Sequence, residues 1–171
     1  MAAKIFSQEL FYFKDDGTIP NNKLPLICYH DAFTARGDNG AEWLERKFAE
    51  NNWTNSWQWG VYPFHHYHSN THEVLGVFKG FAELQLGGEK GQILKVMPGD
   101  IMIIPAGVGH KCLSHSEDFT VVGAYPNGLE PDLMKGEKGE RPTADENIKA
   151  VQIPDTDPLQ GKKDGLPKIW T

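Results

Sequence analysis

A chain of 171 residues with 17 lysines and arginines against 23 aspartates and glutamates has the size of one domain and a formal charge of -6. That charge repels phosphate backbones and anionic lipid at long range, which argues against nucleic acid as a partner. Hydrophobic residues at 39%, with 9 Phe, 5 Tyr and 5 Trp, supply enough area to bury that global disorder is excluded. The longest apolar runs, such as 101–104, fall far short of the roughly 20 residues a bilayer demands. The opening MAAKIFSQELFYFKDD has neither a basic head nor a sustained apolar stretch, so the chain is read as cytoplasmic. Cys28 and Cys112 lack CxxC spacing and are expected to be reduced packing residues.

In chain order, the first β candidates are 10–13 and 26–29, outer strands of a larger sheet. Asn39 followed by Glu42, with Leu44 and Phe48 four apart, predicts a helix near 40–51. From 57 to 125 the pattern turns to short β segments separated by Gly and Pro: 57–68, 73–86, 93–97, 101–104, 110–114 and 119–125. Many short strands with tight turns predict an all-β jelly roll. After residue 125 the composition changes, since the last 46 residues hold 6 of the 11 prolines and one aromatic, Trp170. Such a segment cannot form its own core. It is expected to wrap the barrel as an extended arm, with a short helix from a Thr143/Glu146 capping box to about Ala150, while a flexible tail after Asp155 is the rival expectation. The domain is thus divided into an N-terminal segment (1–56), a barrel core (57–125) and the arm (126–171).

Four of the seven histidines, His65, His66, His68 and His72, fall within eight residues, and Glu73 follows. On a strand, alternate residues share a face, so Tyr62, Phe64, His66 and His68 point one way and His65 the other. If Glu73 opens the next strand it shares its face with Leu75 and Val77, and a carboxylate enters an apolar interior. Burying that charge beside imidazoles is costly, and a divalent cation bound by both removes the cost. The loop Pro105-Ala106-Gly107-Val108-Gly109 then delivers His110 to a new strand as a fourth ligand.

Gly60-x5-His66-x-His68-x4-Glu73-x6-Gly80 resembles the first cupin motif at every fixed position. Gly99-x5-Pro105-x-Gly107-x2-His110 resembles the second, with Ser114 standing where the motif ends in Asn. Wider similarity, through HHYHSNTHEVLGV, IPAGVGHK and VVGAYP, is to the YjlB-like single-domain cupins. The resemblance implies an RmlC-like jelly roll, a small double-stranded β-helix, with a central metal held by His66, His68, Glu73 and His110. Ser114 does not touch that set; its shorter side chain puts only a supporting hydrogen bond in doubt.

Around this set, His65 and His72 have the wrong alternation and are read as surface or supporting imidazoles, with His72 a substitute ligand if the turn bends. His30 and His115 are read as structural, Trp53, Trp57 and Trp59 as packing, and Glu83 and Gln85 as facing solvent. Tyr62 and Phe64 are read as core filling, with the lining of a ligand cavity as the alternative, and 153–158 as a solvated extended segment. Four protein ligands on octahedral Fe, Mn or Ni leave two open positions, whereas tetrahedral Zn is nearly closed. The expectation is therefore a metal-dependent enzyme acting on a small polar or anionic metabolite, an oxygenase before an isomerase or lyase, with no catalytic base assignable. A non-catalytic binding cupin and a structural or storage protein are the alternatives. Open sheet edges, covered by a second copy with the arm crossing between subunits, predict a homodimer.

Overall fold

The computed structural model describes residues 4–171, so the first three residues of the N-terminal segment lie outside the described residues. The chain runs β1 (Ser7–Phe11), β2 (Leu26–His30), α1 (Gly37–Glu50), β3 (Trp53–Trp59), β4 (Glu73–Lys79), β5 (Ala82–Leu86), β6 (Gln92–Val96), β7 (Ile101–Ile104), β8 (His110–His115), β9 (Thr120–Pro126), α2 (Thr143–Ala150) and α3 (Leu166–Ile169). Six strands form one antiparallel sheet in the order β1-β2-β7-β4-β9-β3, and β6-β5-β8 form a second. This is the expected all-β jelly roll. None of the helices is long and apolar enough to cross a membrane.

The central strands of the larger sheet, β2, β7, β4 and β9, are buried on both faces, which is why they read as largely apolar runs rather than alternations. Leu75, Val77, Met102, Ile104, Leu26 and Cys28 point inward against Leu84, Leu86 and Cys112 of the smaller sheet. The intervening Val74, Ile101, Ile103, Ile27 and Tyr29 point outward onto Leu44 and Phe48 of α1 and onto Trp170. Gly76 makes the helix contact close, because a Cβ there would lie 2.6 Å from Leu44 Cδ2. A side chain at 76 would push α1 off the sheet.

The structure differs from the expected elements at several places, each for a local reason. The segment expected as one strand over 57–68 ends at Trp59, beyond which Gly60 and Pro63 interrupt it. Residues 62–66 nevertheless run beside β8, with Cys112 N–H donating to Tyr62 O at 2.9 Å and His110 N–H to His66 O at 2.9 Å. The expected strand 73–86 is two strands in different sheets, bent at Gly80, whose φ is +71° and whose hypothetical Cβ would lie 2.5 Å from Phe119 N. Helix α1 starts three residues before the predicted 40 without an Asn39 cap: Gly40 N–H is taken by Arg36 O at 3.1 Å. Likewise Thr143 caps nothing, since Pro142 holds the N-cap position of α2.

The arm lies on its own barrel, and its end is ordered by buried polar contacts rather than by apolar bulk. Asp157, expected in a solvated segment, is fully buried. Its carboxylate accepts from Tyr29 Oη and from the backbone N–H of Leu159, Gln160 and Leu166, so it replaces the water it loses with four donors. Trp170 Nε1 donates to Pro25 O at 2.8 Å, and Trp53 Nε1 to Thr156 O at 3.0 Å. The rival of a flexible tail after Asp155 is thereby overturned.

Burial raises the Asp157 pKa above its ordinary 3.8, against the opposing hydrogen bonds. The folded protein then binds this proton more tightly than the unfolded chain does. The stability so gained is complete below about pH 3.8 and is lost as pH rises through the higher folded value. Asp157→Asn removes that titration. It is expected to be less stable than the parent in acid, with the deficit shrinking as pH climbs from 4 to 7 in urea unfolding. A deficit independent of pH would contradict the raised carboxyl.

Candidate metal centre

The inner face of β4 begins with Glu73, and the loop before it and the start of β8 bring imidazoles to the same point. His66, His68 and His110 each offer one ring nitrogen, and these lie within 4.8 Å of one another. Glu73 Oε1 is 3.2 Å from His110 Nε2 and 3.5 Å from His68 Nε2. The four residues named from the sequence therefore converge, with the carboxylate in contact with two of the three imidazoles.

The other nitrogens define the protonation. His66 Nδ1 lies 3.0 Å from Phe64 O, His110 Nδ1 3.1 Å from Val108 O, and His68 Nδ1 against Asp132 O. A carbonyl only accepts, so each Nδ1 carries a proton and, whenever the ring is neutral, Nε2 turns a bare lone pair inward. His110 Nε2 is buried with no hydrogen-bond partner. A lone pair facing a buried carboxylate is repulsive unless a cation lies between them or the ring takes up a proton, and three convergent lone pairs with one negative charge are the donor set of a divalent metal.

The electrostatics of these four groups show the same tension. Burial alone pushes the Glu73 carboxyl up, yet the imidazoles of His68 and His110 outweigh it and hold the group below the usual carboxylate range. Burial pulls His68 down, but Glu73 beside it reverses the direction and raises it. His66, which lacks such a close carboxylate contact, is driven by burial and then by His110 to about 2. It stays neutral throughout the physiological range and remains available as a ligand.

The remaining expectations sort by geometry. His72 is no substitute ligand: its Nδ1 accepts from Ala106 N at 2.9 Å, and its Nε2 donates to Gln152 O at 3.1 Å. It serves as a buried strut between the metal-side loop and the arm. His65 faces the other way onto Glu89 at 2.8 Å, and His30 and His115 have local partners, Glu9 and Ser116 O. Ser114 is exposed on β8, away from the pocket, opposite Glu83.

A cavity of about 270 Å³ opens above the four side chains. Tyr62 is in its wall, but Phe64 is not; it stacks behind Tyr62 with centroids 4.8 Å apart and carries Lys135 Nζ 5.1 Å from its ring centre. Trp57, expected to pack, also lines the cavity, where its ring occupies the space that a Cβ on Gly123 would fill. Tyr125 and Asp132 are among the wall residues that were not singled out from the sequence. Tyr125 stands beside Glu73 on the inner face, one step beyond the Val74–Ala124 pair, and its hydroxyl accepts from Trp57 Nε1 at 2.8 Å. Its parity with Val121 and Gly123 was the available signal. Asp132, on a strap of the arm closing one side of the cavity, left no signal. Its carboxylate accepts from Ser69 N at 2.7 Å and from Ser69 Oγ, while its carbonyl takes the His68 proton.

The Cupin family matches residues 58–129. An uncharacterised protein, YjlB, of Bacillus subtilis is 47% identical over 163 residues, which is 95% of this chain and 96% of that one. Among solved structures, the DMSP lyase DddQ from Ruegeria pomeroyi aligns with 75% of this chain and 50% of its own at 16% identity and a TM-score of 0.37. The dTDP-6-deoxy-D-glucose-3,5-epimerase RmlC from Legionella pneumophila aligns with 72% of this chain and 74% of its own at 14% identity and a TM-score of 0.36.

Asp132 supplies the test of how the strap is held. Asp132→Ala removes two hydrogen bonds to a carboxylate, each worth about 1.5–3 kcal/mol. The expected result is faster amide exchange at Ser69 and at Met134, whose N–H donates to Tyr67 O at 2.9 Å, with little change in the core of β7. Unchanged exchange at both would remove the carboxylate from the account of the strap.

Proposed function

The chain belongs to the cupin family, in its YjlB-like branch, and from that premise we propose that it is a metal-dependent enzyme for a small polar or anionic metabolite, with oxygenase chemistry favoured. The observation that carries this reading is the buried, unpartnered Nε2 of His110 facing the Glu73 carboxylate. His66, His68, Glu73 and His110 would hold a first-row divalent ion, Fe, Mn, Ni or Zn by donor chemistry. Bound there, such an ion would supply Lewis acidity or redox capacity toward a metabolite.

The chain's own residues do the rest. The backbone carbonyls of Phe64, Val108 and Asp132 accept from the three Nδ1 atoms and so aim each Nε2 at the site. Leu75, Val61 and Trp57 line the cavity with apolar surface, which limits water and strengthens each electrostatic contact inside. One observation favours lyase or isomerase chemistry as a second reading. The buried Tyr125 phenol, oriented by Trp57 Nε1, is a proton-carrying group in the cavity wall.

Other properties belong to the same proposal. Buried thiols at Cys28 and Cys112, without a disulfide, suit a reducing compartment such as the cytoplasm. Strands β1 and β3 end one sheet and β6 the other, and exposed Trp59 and Ile93 lie on two of these edge strands. Pairing of such edges in a homodimer would cover them, and light scattering at micromolar concentration is expected to give twice the 19.2 kDa chain mass; a monomer mass throughout would contradict it.

The functional reading is tested by metal addition. A fitting divalent ion at a hundredfold excess over its Kd is expected to stabilise the protein by about 2.7 kcal/mol. His110→Ala should abolish that gain. Oxygen uptake by the Fe(II)-loaded protein across small acids, thiols and phenols is the expected activity; substrate loss without oxygen would favour the lyase or isomerase reading, and no ion-dependent stabilisation would defeat both.

A further inference from the structure

The cavity above the metal centre has an unbalanced lining. Aromatic and aliphatic side chains, Trp57, Trp59, Tyr62, Tyr125 and Leu133, make its walls, and its ionisable lining is the three histidines with the acids Glu73 and Asp132. No lysine or arginine lines it among the described residues. Lys135 Nζ lies over Phe64, behind Tyr62, and Lys135 is not part of the lining.

Charge arithmetic then restricts the ligand. A divalent ion with the Glu73 carboxylate leaves one net positive charge at the metal, which a single anionic head neutralises, while the Asp132 carboxylate in the wall adds a further negative charge. A second anionic group on the same ligand would stand in a low-dielectric cavity with no cation to meet it, beside an Asp132 carboxylate already engaged by Ser69. Desolvating such a charge without a partner is heavily penalised. The walls instead offer rings and uncharged hydroxyls, which suit a flat apolar body.

We propose that the site selects ligands with one metal-binding anionic group on an uncharged, apolar or aromatic body, and rejects dianions. This rests on the metal-centre reading and narrows its ligand class. Sugar phosphates and dicarboxylates are excluded by the same argument, because each brings a second charge that the walls cannot pair.

The test uses a pair of probes with nearly the same shape and different charge, 4-nitrobenzoate and terephthalate, on Co(II)-loaded full-length protein. Binding is read as a change in the visible Co(II) absorption. The expected result is affinity for 4-nitrobenzoate at least about tenfold above that for terephthalate, and also above that for acetate, which lacks the body. Leu133→Lys places a cation in the wall at a side chain that is 42% exposed, and is expected to raise terephthalate affinity selectively. Equal affinities for the two aromatic probes with a normal Co(II) spectrum would overturn the ligand selection alone. A protein that shows no bound Co(II) spectrum would overturn the metal reading and the selection with it.

Discussion

One carboxylate dictates the interior of this molecule. Glu73 lies on the inner face of β4 with Leu75 and Val77, 3% exposed, and among the described residues no lysine or arginine pairs with it. Its neighbours are imidazoles whose outer nitrogens already donate to backbone carbonyls. That charge can be met by a proton on His68 or His110 or by the Tyr125 phenol, and a divalent cation bound by all four groups would balance it in a cavity that also admits a ligand.

The rest of the architecture keeps that arrangement rigid. Burial of the larger sheet's central strands on both faces, by α1 outside and the smaller sheet inside, fixes the register of β4 against β7 and β9, and with it the positions of Glu73 and Tyr125. The arm contributes from the opposite side. Its strap presents the Asp132 carbonyl to His68, its helix α2 is tied to the loop after β1 through Arg141 and Asp15, and its end is locked by Asp157 and Trp170. Ordering such a segment costs conformational entropy, offset here by buried hydrogen bonds and by the apolar area of Trp170 and Leu166.

Much of this was legible from local pattern. The two-residue period put Glu73 in line with Leu75 and Val77 and joined His66 to His68, and the loop Pro105–Gly109 returned His110 to them. These are short-range regularities that a single sequence displays. What stayed hidden depends on pairings between distant segments. His72 became a strut because the Gln152 carbonyl reaches it from 80 residues away, and Asp132 meets Ser69 across 63. Asp157 looked like a solvated charge because nothing near it in sequence announces Tyr29, 128 residues upstream, as its partner. Phe64 had the correct parity for the cavity, but with Gly60 and Pro63 breaking the strand its ring stacks behind Tyr62 and not in the wall.

The central claim is that His66, His68, His110 and Glu73 together bind one divalent ion. X-ray absorption at the metal edge of the purified protein addresses it directly. The account predicts a first shell of nitrogen and oxygen at about 2.0–2.2 Å with outer-shell scattering from imidazole rings, lost in His110→Ala. A shell with sulfur at about 2.3 Å, or an imidazole signature that survives the substitution, would contradict it.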